Sequence, residues 1–252
     1  MANPDSIAHY LLKDVNRAVR EFSLIEAGDH IAVGISGGKD SRTLLDLLLR
    51  GVAIPPQGDN AKRDVPGERL LYKITAIHID GAKVGLPNVR PALEPWLKTM
   101  NVEYEIAPLE VSPTEKLPMD CFRCSWNRRK ALFLAADRLG CNKVAFAHHA
   151  DDAAVTALLS LMYKGQLETL NPSLSFFEGH FTVIRPLIFV TEAEISRYAR
   201  AAGWEFPPEL ECPRLEKSRR VRLERFLATL DGKERQNIRA NLWRAAREAM
   251  EF

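Results

Sequence analysis

"VGISGGKDSRTLL", residues Val33–Leu45, decides how this chain is read. An apolar, β-rich run, "HIAVGIS" (30–36), leads into it, and a helical pattern, "DSRTLLDLLLRG", leads out of it. A glycine-rich turn between the end of a first strand and the start of a helix is where α/β proteins bind phosphate, because the free N–H groups of the helix start favour an anion. Gly37 and Gly38 allow close backbone approach, Lys39 adds a point charge, and Ser36 and Ser41 add hydroxyl donors. The common phosphate loop runs Gly, four residues, Gly-Lys, then Ser or Thr. Here Asp40 follows Gly38-Lys39, and Val33 stands where the first glycine belongs. A carboxylate repels phosphate unless a cation lies between them, so Asp40 points to Mg²⁺. The competing account is a glycine turn capped by Asp and Ser.

Outward from this loop the pattern repeats. Further β-rich runs occur at 72–80, 102–109 and 143–149, with a weaker one at 180–189, and helical patterns lie between them. "SWNRRKALFLAADRLG" and "DDAAVTALLSLMYKG" both stop at a glycine, and 192–203 is another helical run. Strands alternating with helices predict a doubly wound parallel sheet in the α/β class, covered on both faces. Residues 51–69 read as a surface loop, and Pro207, Pro208 and Pro213 bracket an irregular stretch.

The 252 residues suffice for one sizeable core. No apolar run is long enough to cross a bilayer, and the amphipathic, partly acidic start lacks the apolar core of a secretory signal. The expectation is a cytoplasmic protein with no membrane partner. The net charge of +2 hides a skewed distribution. From Arg214 to Arg247 there are eleven Lys/Arg against four Asp/Glu. That tail is either a solvated helical face or a surface for an anion such as RNA.

"AHHADDAAVT" (147–156) joins the fourth strand to a helix. Asp151 or Asp152 could be no more than a helix cap. Two histidines and two aspartates at a strand end beside the first strand favour a functional reading, in which Asp152 holds Mg²⁺ or orients substrate. Of four cysteines, Cys121 and Cys124 form a Cys-x-x-Cys pair, with both thiols on one face if a helix begins there. Such a pair serves zinc, a redox dithiol or an iron–sulfur cluster. No second close pair exists to complete a structural zinc site. Cys212 is a single distant partner, and Cys141 reads as a small residue at a strand entrance. Three cysteines and one open position suit a cubane cluster with an exposed iron.

Ser36-Gly37-Gly38-Lys39-Asp40-Ser41 resembles the loop of the PP-loop ATP pyrophosphatases, which cleave ATP between the α and β phosphates and adenylate an oxygen of the substrate. With "CFRCSWNRR", "AHHADDAAVTALLSLMYKG", "RPL", "EAEISRYA" and "CP" near "SRR", the chain is similar to the tRNA 2-thiocytidine synthetases, over roughly residues 10 to 230. The resemblance implies an ATP- and Mg²⁺-dependent sulfurtransferase that adenylates C2 of a cytidine, position 32 of a tRNA, and exchanges its oxygen for sulfur. It implies Cys121, Cys124 and Cys212 as ligands of a [4Fe–4S] cluster, and Lys39, Arg128 and Asp152 as catalytic. Ser36 to Ser41, His78, Ala147 and Asp152 would bind the nucleotide, with Asp40 and Asp152 on Mg²⁺. A cysteine desulfurase or inorganic sulfide would donate sulfur, and the chain would work alone or as a homodimer. The implied organisation is an N-terminal helical extension (1–27), the PP-loop domain (28–205), and a third-cysteine loop with a basic helical tail (206–252).

The chain departs from the family pattern at Ala147, where a glycine is usual, and at Leu170-Asn171-Pro172, where Met-Pro-Pro is usual. It also lacks the zinc-binding cysteine pairs of the 2-thiouridine enzymes. A 2-thiouridine synthetase or a PP-loop sulfurtransferase acting on a small molecule is the alternative enzyme. A redox or RNA-binding module that keeps the loop as scaffold is the non-catalytic alternative.

Overall fold

The computed structural model describes residues 3–54, 71–204 and 219–250. Cys212, the proline-flanked stretch around it and most of the 51–69 loop lie outside those residues. The β-rich runs become strands β1 (His30–Gly34), β2 (Lys73–Asp80), β3 (Glu103–Pro108), β4 (Lys143–Ala145), β5 (Ser173–Phe176) and β6 (Phe181–Ile184) of one sheet, in the order β3-β2-β1-β4-β6-β5. All pairs are parallel except β5 with β6. The doubly wound parallel sheet expected is therefore present, with one antiparallel strand added at its edge. A loop of only four residues separates β5 from β6, too short for a parallel crossover.

Side chains alternate across the sheet as a two-sided strand requires. Ile31, Val33, Ile74, Ala76, Ala145 and Ile184 belong to one apolar cluster, while Ala32, Ile77, Ile79, Val144 and Val183 belong to the other. The first cluster is covered by helices α1 (Pro4–Glu21), α2 (Lys39–Leu49), α3 (Arg90–Thr99) and α6 (Glu192–Ala201), which supply buried Ile7, Leu11, Leu44, Leu48, Leu93 and Ile195 among others. The second is covered by α4 (Cys121–Arg138), through Leu132, Ala135 and Ala136. Both faces are therefore buried at the sheet centre, which is why β1 and β4 are buried along most of their length while the edge strands β3 and β5 are more exposed.

Helices α5 (Ala150–Lys164), α7 (Arg219–Thr229) and α8 (Gly232–Met250) complete the described chain. Val155 of α5 meets Leu223 and Leu227 of α7 in a third small cluster. No described helix is long and apolar enough to cross a membrane. The sheet order places a switch point between β1 and β4, since the chain leaves β1 toward β2 and β3 but continues from β4 on the other side. Ligands of open α/β sheets bind in the crevice at such a point, beyond the strand carboxyl ends.

Candidate active site

The loop after β1 is held by its own hydrogen bonds. Ser36 N–H donates to Ser41 Oγ at 3.2 Å, Gly38 N–H donates to Ser36 Oγ at 3.3 Å, and the Ser41 hydroxyl donates to the Gly38 carbonyl at 3.0 Å. Gly37 has φ +92°, a conformation in which an L side chain is strained. Gly38 is the N-cap of α2 with no side chain in the way, so the first amides of that helix face the crevice.

Lys39 Nζ lies 3.1 Å from Asp40 Oδ1 and 3.4 Å from Glu192 Oε1. Burial would depress this ammonium, but the two carboxylates outweigh it and hold Lys39 above its ordinary value. Below the loop, buried His78 places Nδ1 2.7 Å from the Ile35 carbonyl. A carbonyl can only accept, so Nδ1 carries the proton. Burial first, then the Arg128 cation, keeps this imidazole below the usual histidine range despite the carbonyl contact.

The cysteine helix starts at Cys121, one turn before the helical pattern that opens at Ser125. Asp120 caps α4 by accepting from Arg123 N–H at 2.8 Å, and Cys121 opens the first turn, with Cys124 one turn on. A cavity of about 370 Å³ runs between this helix and the β1 end. Gly34, Ile35 and Ser36 line one side, Cys121, Cys124, Ser125, Arg128 and Arg129 another, and Phe146 and His148 a third. A Cβ on Gly34 would lie 3.1 Å from Leu132 Cδ2 of α4, so the strand and helix meet here as closely as a glycine permits.

The fourth strand is shorter than its 143–149 run. It ends at Ala145, and residues 146–149 turn over the crevice before α5 begins. Asp152 is a cap: its Oδ2 accepts from His149 N–H at 2.9 Å, while its Oδ1 pairs with Arg220 of α7. Asp151 accepts from Glu192 N–H at 2.8 Å and lies 3.1 Å from Arg239 of α8. Arg220 belongs to the basic tail that the sequence left as either a solvated face or an anion-binding surface; it closes on Asp152 and on Glu224. Half-buried His148 accepts at Nδ1 from Arg185 Nε at 3.2 Å. Burial and the Arg185 cation push it down to about 4. Arg185 itself is pushed down to about 10 by burial and by Arg129.

No protein-family model matches the chain. It is 33% identical over 240 residues to the tRNA-cytidine(32) 2-sulfurtransferase of Anaeromyxobacter dehalogenans (strain 2CP-C), covering 93% of this chain and 77% of that protein. It is 35% identical over 210 residues to the enzyme of the same name from Azotobacter vinelandii, covering 81% and 70%. The chain belongs to this family. Among solved structures it is similar to the U34-tRNA thiolase NcsA from Methanococcus maripaludis with its [4Fe–4S] cluster, with a TM-score of 0.67 at 20% identity, covering 96% of this chain and 80% of that one. NMN synthetase from Francisella tularensis gives a TM-score of 0.51 at 12% identity, covering 96% and 93%. These two share the fold.

In this family member the expected residues Ser36, Cys121, Cys124 and Arg128 share one cavity. Lys39 and Asp40 stand at the helix start beside them, and His78 supports the loop from below. Ala147 lies in the turn after β4 and packs against the first apolar cluster. The donor set fits a cluster at the two cysteines: two thiols one turn apart, at a helix N-terminus, on a cavity wall. Among the described residues no three His, Cys, Asp or Glu side chains gather to hold a metal ion. Asp40 and Asp152 are each already countered by a protein cation. Sequence reading missed Glu192, Arg129 and Arg185 as site residues. Arg185 had a signal in the "RPL" run, but Glu192 reads there only as the start of a helix.

Proposed function

We propose that the protein adenylates C2 of cytidine 32 of a tRNA with MgATP and replaces that oxygen with sulfur. The observation that supports this reading is the continuity of one cavity wall from Ser36 to Cys121 and Cys124, which lets activation and sulfur delivery meet at one base. Attack of the cytidine O2 on the α-phosphorus breaks the bond to the bridging oxygen and releases pyrophosphate. The α2 amides and Lys39 face the leaving group, with Lys39 exchanging Asp40 and Glu192 for phosphate oxygens. His78 holds the Ile35 carbonyl and so fixes the backbone just before Ser36. Arg128, on the cavity wall, faces the charge that collects on the activated base. Inorganic sulfide then attacks C2 directly and AMP leaves; a persulfide from a cysteine desulfurase serves the same step once a pair of reducing thiols cleaves its S–S bond, forming a disulfide and supplying the two electrons.

Cys121, Cys124 and Cys212 would hold a [4Fe–4S] cluster, whose iron without a protein ligand offers a place for the transferred sulfur. The direct test is mass spectrometry of tRNA nucleosides from a strain lacking the gene, with anaerobic reconstitution of the protein beside it. Loss of 2-thiocytidine, AMP and pyrophosphate as products, and iron and sulfide retained by Cys141→Ala but lost from Cys121→Ala, Cys124→Ala and Cys212→Ala are expected. Loss of 2-thiouridine instead, or ADP and phosphate as products, overturns the assignment. Zinc with full activity overturns the cluster.

A further inference from the structure

Helix α4 presents a second exposed face, which the proposed reaction leaves unused. Phe122, Trp126 and Lys130 follow one another at four-residue spacing, and that spacing aligns them along the helix. Phe122 is 74% exposed and Trp126 46%. The other three tryptophans pack against the first apolar cluster, so a large indole left in water is exceptional in this chain. At 3.6 residues per turn, Cys121, Ser125, Arg128 and Leu132 centre the cavity wall, and Phe122 and Trp126 stand roughly a quarter to a third of a turn around from it. Arg129, which also lines the cavity, falls between the two faces. The aromatic face therefore borders the cavity.

Its charge is one-sided. From Cys121 to Ala136 the helix carries Arg123, Arg128, Arg129 and Lys130 and no carboxylate. Arg123 and Lys130 lie over the Trp126 ring, at 5.3 and 5.6 Å from its centroid, so an incoming base takes the place of one of these exposed cations. Glu115 engages Arg123 from the preceding loop, whereas Arg129 and Lys130 are exposed without a described carboxylate partner. Flat exposed rings among cations, beside a cavity, match the needs of unpaired nucleotides: stacking for the bases and positive charge for the phosphates. An apolar protein partner would gain from the rings but would have to desolvate four cations.

We propose that Phe122 and Trp126 form a stacking platform for unpaired bases beside the reacting nucleotide, with Arg129 and Lys130 on their phosphates, so that the target base is splayed into the cavity. The proposal rests on the tRNA reading given above. The platform sets where along the loop the enzyme acts, and takes no part in the chemistry.

The test is a titration of the reconstituted protein with a short single-stranded RNA oligonucleotide of anticodon-loop sequence, read by Trp126 fluorescence, together with thiolation kinetics on intact tRNA. Quenching that is absent from Trp126→Phe, which keeps a stacking ring and most of the affinity, is expected. Trp126→Ala should weaken oligonucleotide binding by about five- to a hundredfold and raise KM for tRNA while kcat changes little. Trp126→Leu, apolar but not flat, should behave like the alanine variant, and ATP binding should be unchanged in all three. If wild-type protein binds RNA and Trp126→Ala binds it equally well, the platform is wrong and the tRNA reading stands. If the alanine variant loses thiolation with a cysteine desulfurase as donor but keeps it with sulfide, the face docks the sulfur donor and the platform is again wrong. If wild-type protein binds no RNA, the tRNA reading fails first and the platform falls with it.

Discussion

The loops after β1 and β4 stand beside each other at the ends of paired parallel strands, yet they are held in opposite ways. The first is closed by Ser36, Gly38 and Ser41, all within one short stretch. The second is closed from a distance: Arg220 of α7 reaches Asp152, Arg239 of α8 reaches Asp151, and Glu192 of α6 donates its backbone N–H to Asp151. A loop of the first kind keeps its shape wherever the strand and helix on either side of it form. The second depends on three helices packing correctly, so stability and site geometry are coupled there. Both loops hold paired charges: Lys39 sits between Asp40 and Glu192, and Asp152 between the His149 amide and Arg220.

The largest expected effect tests the local loop. Lys39→Ala should lower ATP turnover by about a hundred- to a thousandfold, the cost typical of losing one preorganised charge-stabilising group. The thermal midpoint should hardly move, because the residue is half-buried and touches only carboxylates at the surface. Turnover within a few-fold of wild type would show that the helix amides alone hold the leaving group.

Acidification tests the second loop. The fold keeps His148 neutral down to about pH 4, whereas the unfolded chain protonates it near 6.5. Unfolding then takes up a proton between those values, so this stabilisation is present above pH 6.5 and lost as pH falls toward 4. Its size is at most about 3 kcal/mol. Denaturant titrations of wild type and His148→Gln across that window should diverge, with the variant flatter. Parallel curves would mean that burial and the Arg185 cation do not hold the imidazole neutral.

Charge reversal on α7 separates structural from RNA-facing arginines. Arg220→Glu places a like charge against Asp152 and should cost about 1–3 kcal/mol of stability. Arg222→Glu, on an exposed position, should leave unfolding unchanged. If Arg222 meets a phosphate, its reversal should flatten the salt dependence of tRNA binding by about 0.7–0.9 in log–log slope. Equal stability of the two variants would remove the distinction between the loops. The smallest effect belongs to Cys141, 5% exposed, whose thiol burial pushes up to about 11. Cys141→Ala should cost about 1 kcal/mol, and native protein should alkylate at Cys121 well before Cys141.

Some elements could be read directly and others could not. The glycine loop, the body of α4 from Ser125 and the strands β1 to β4 were legible, because each is written in residues that touch their sequence neighbours. Helix α3 was not, because Pro91 and Pro95 argue against a helix; buried Leu93 and Leu97 hold it in place. Strand β5 was not, because its side chains are mostly exposed and its apolar alternation is weak. The end of β4 was overrun, because "FAHH" continues the apolar run while its backbone turns away over the cavity.

By itself the sequence determined the α/β alternation and the glycine turn at Gly37-Gly38-Lys39 between strand and helix. These depend on the period of a strand or helix and on hydrogen bonds spanning a few residues. Only the tertiary structure decided that the loop and the thiols share a cavity, that Glu192 holds Lys39 and that Arg220 answers Asp152 rather than solvent. Each of these joins side chains far apart in the chain. Which cation meets a given carboxylate follows from how whole helices pack on the sheet, and no local pattern of residues records that.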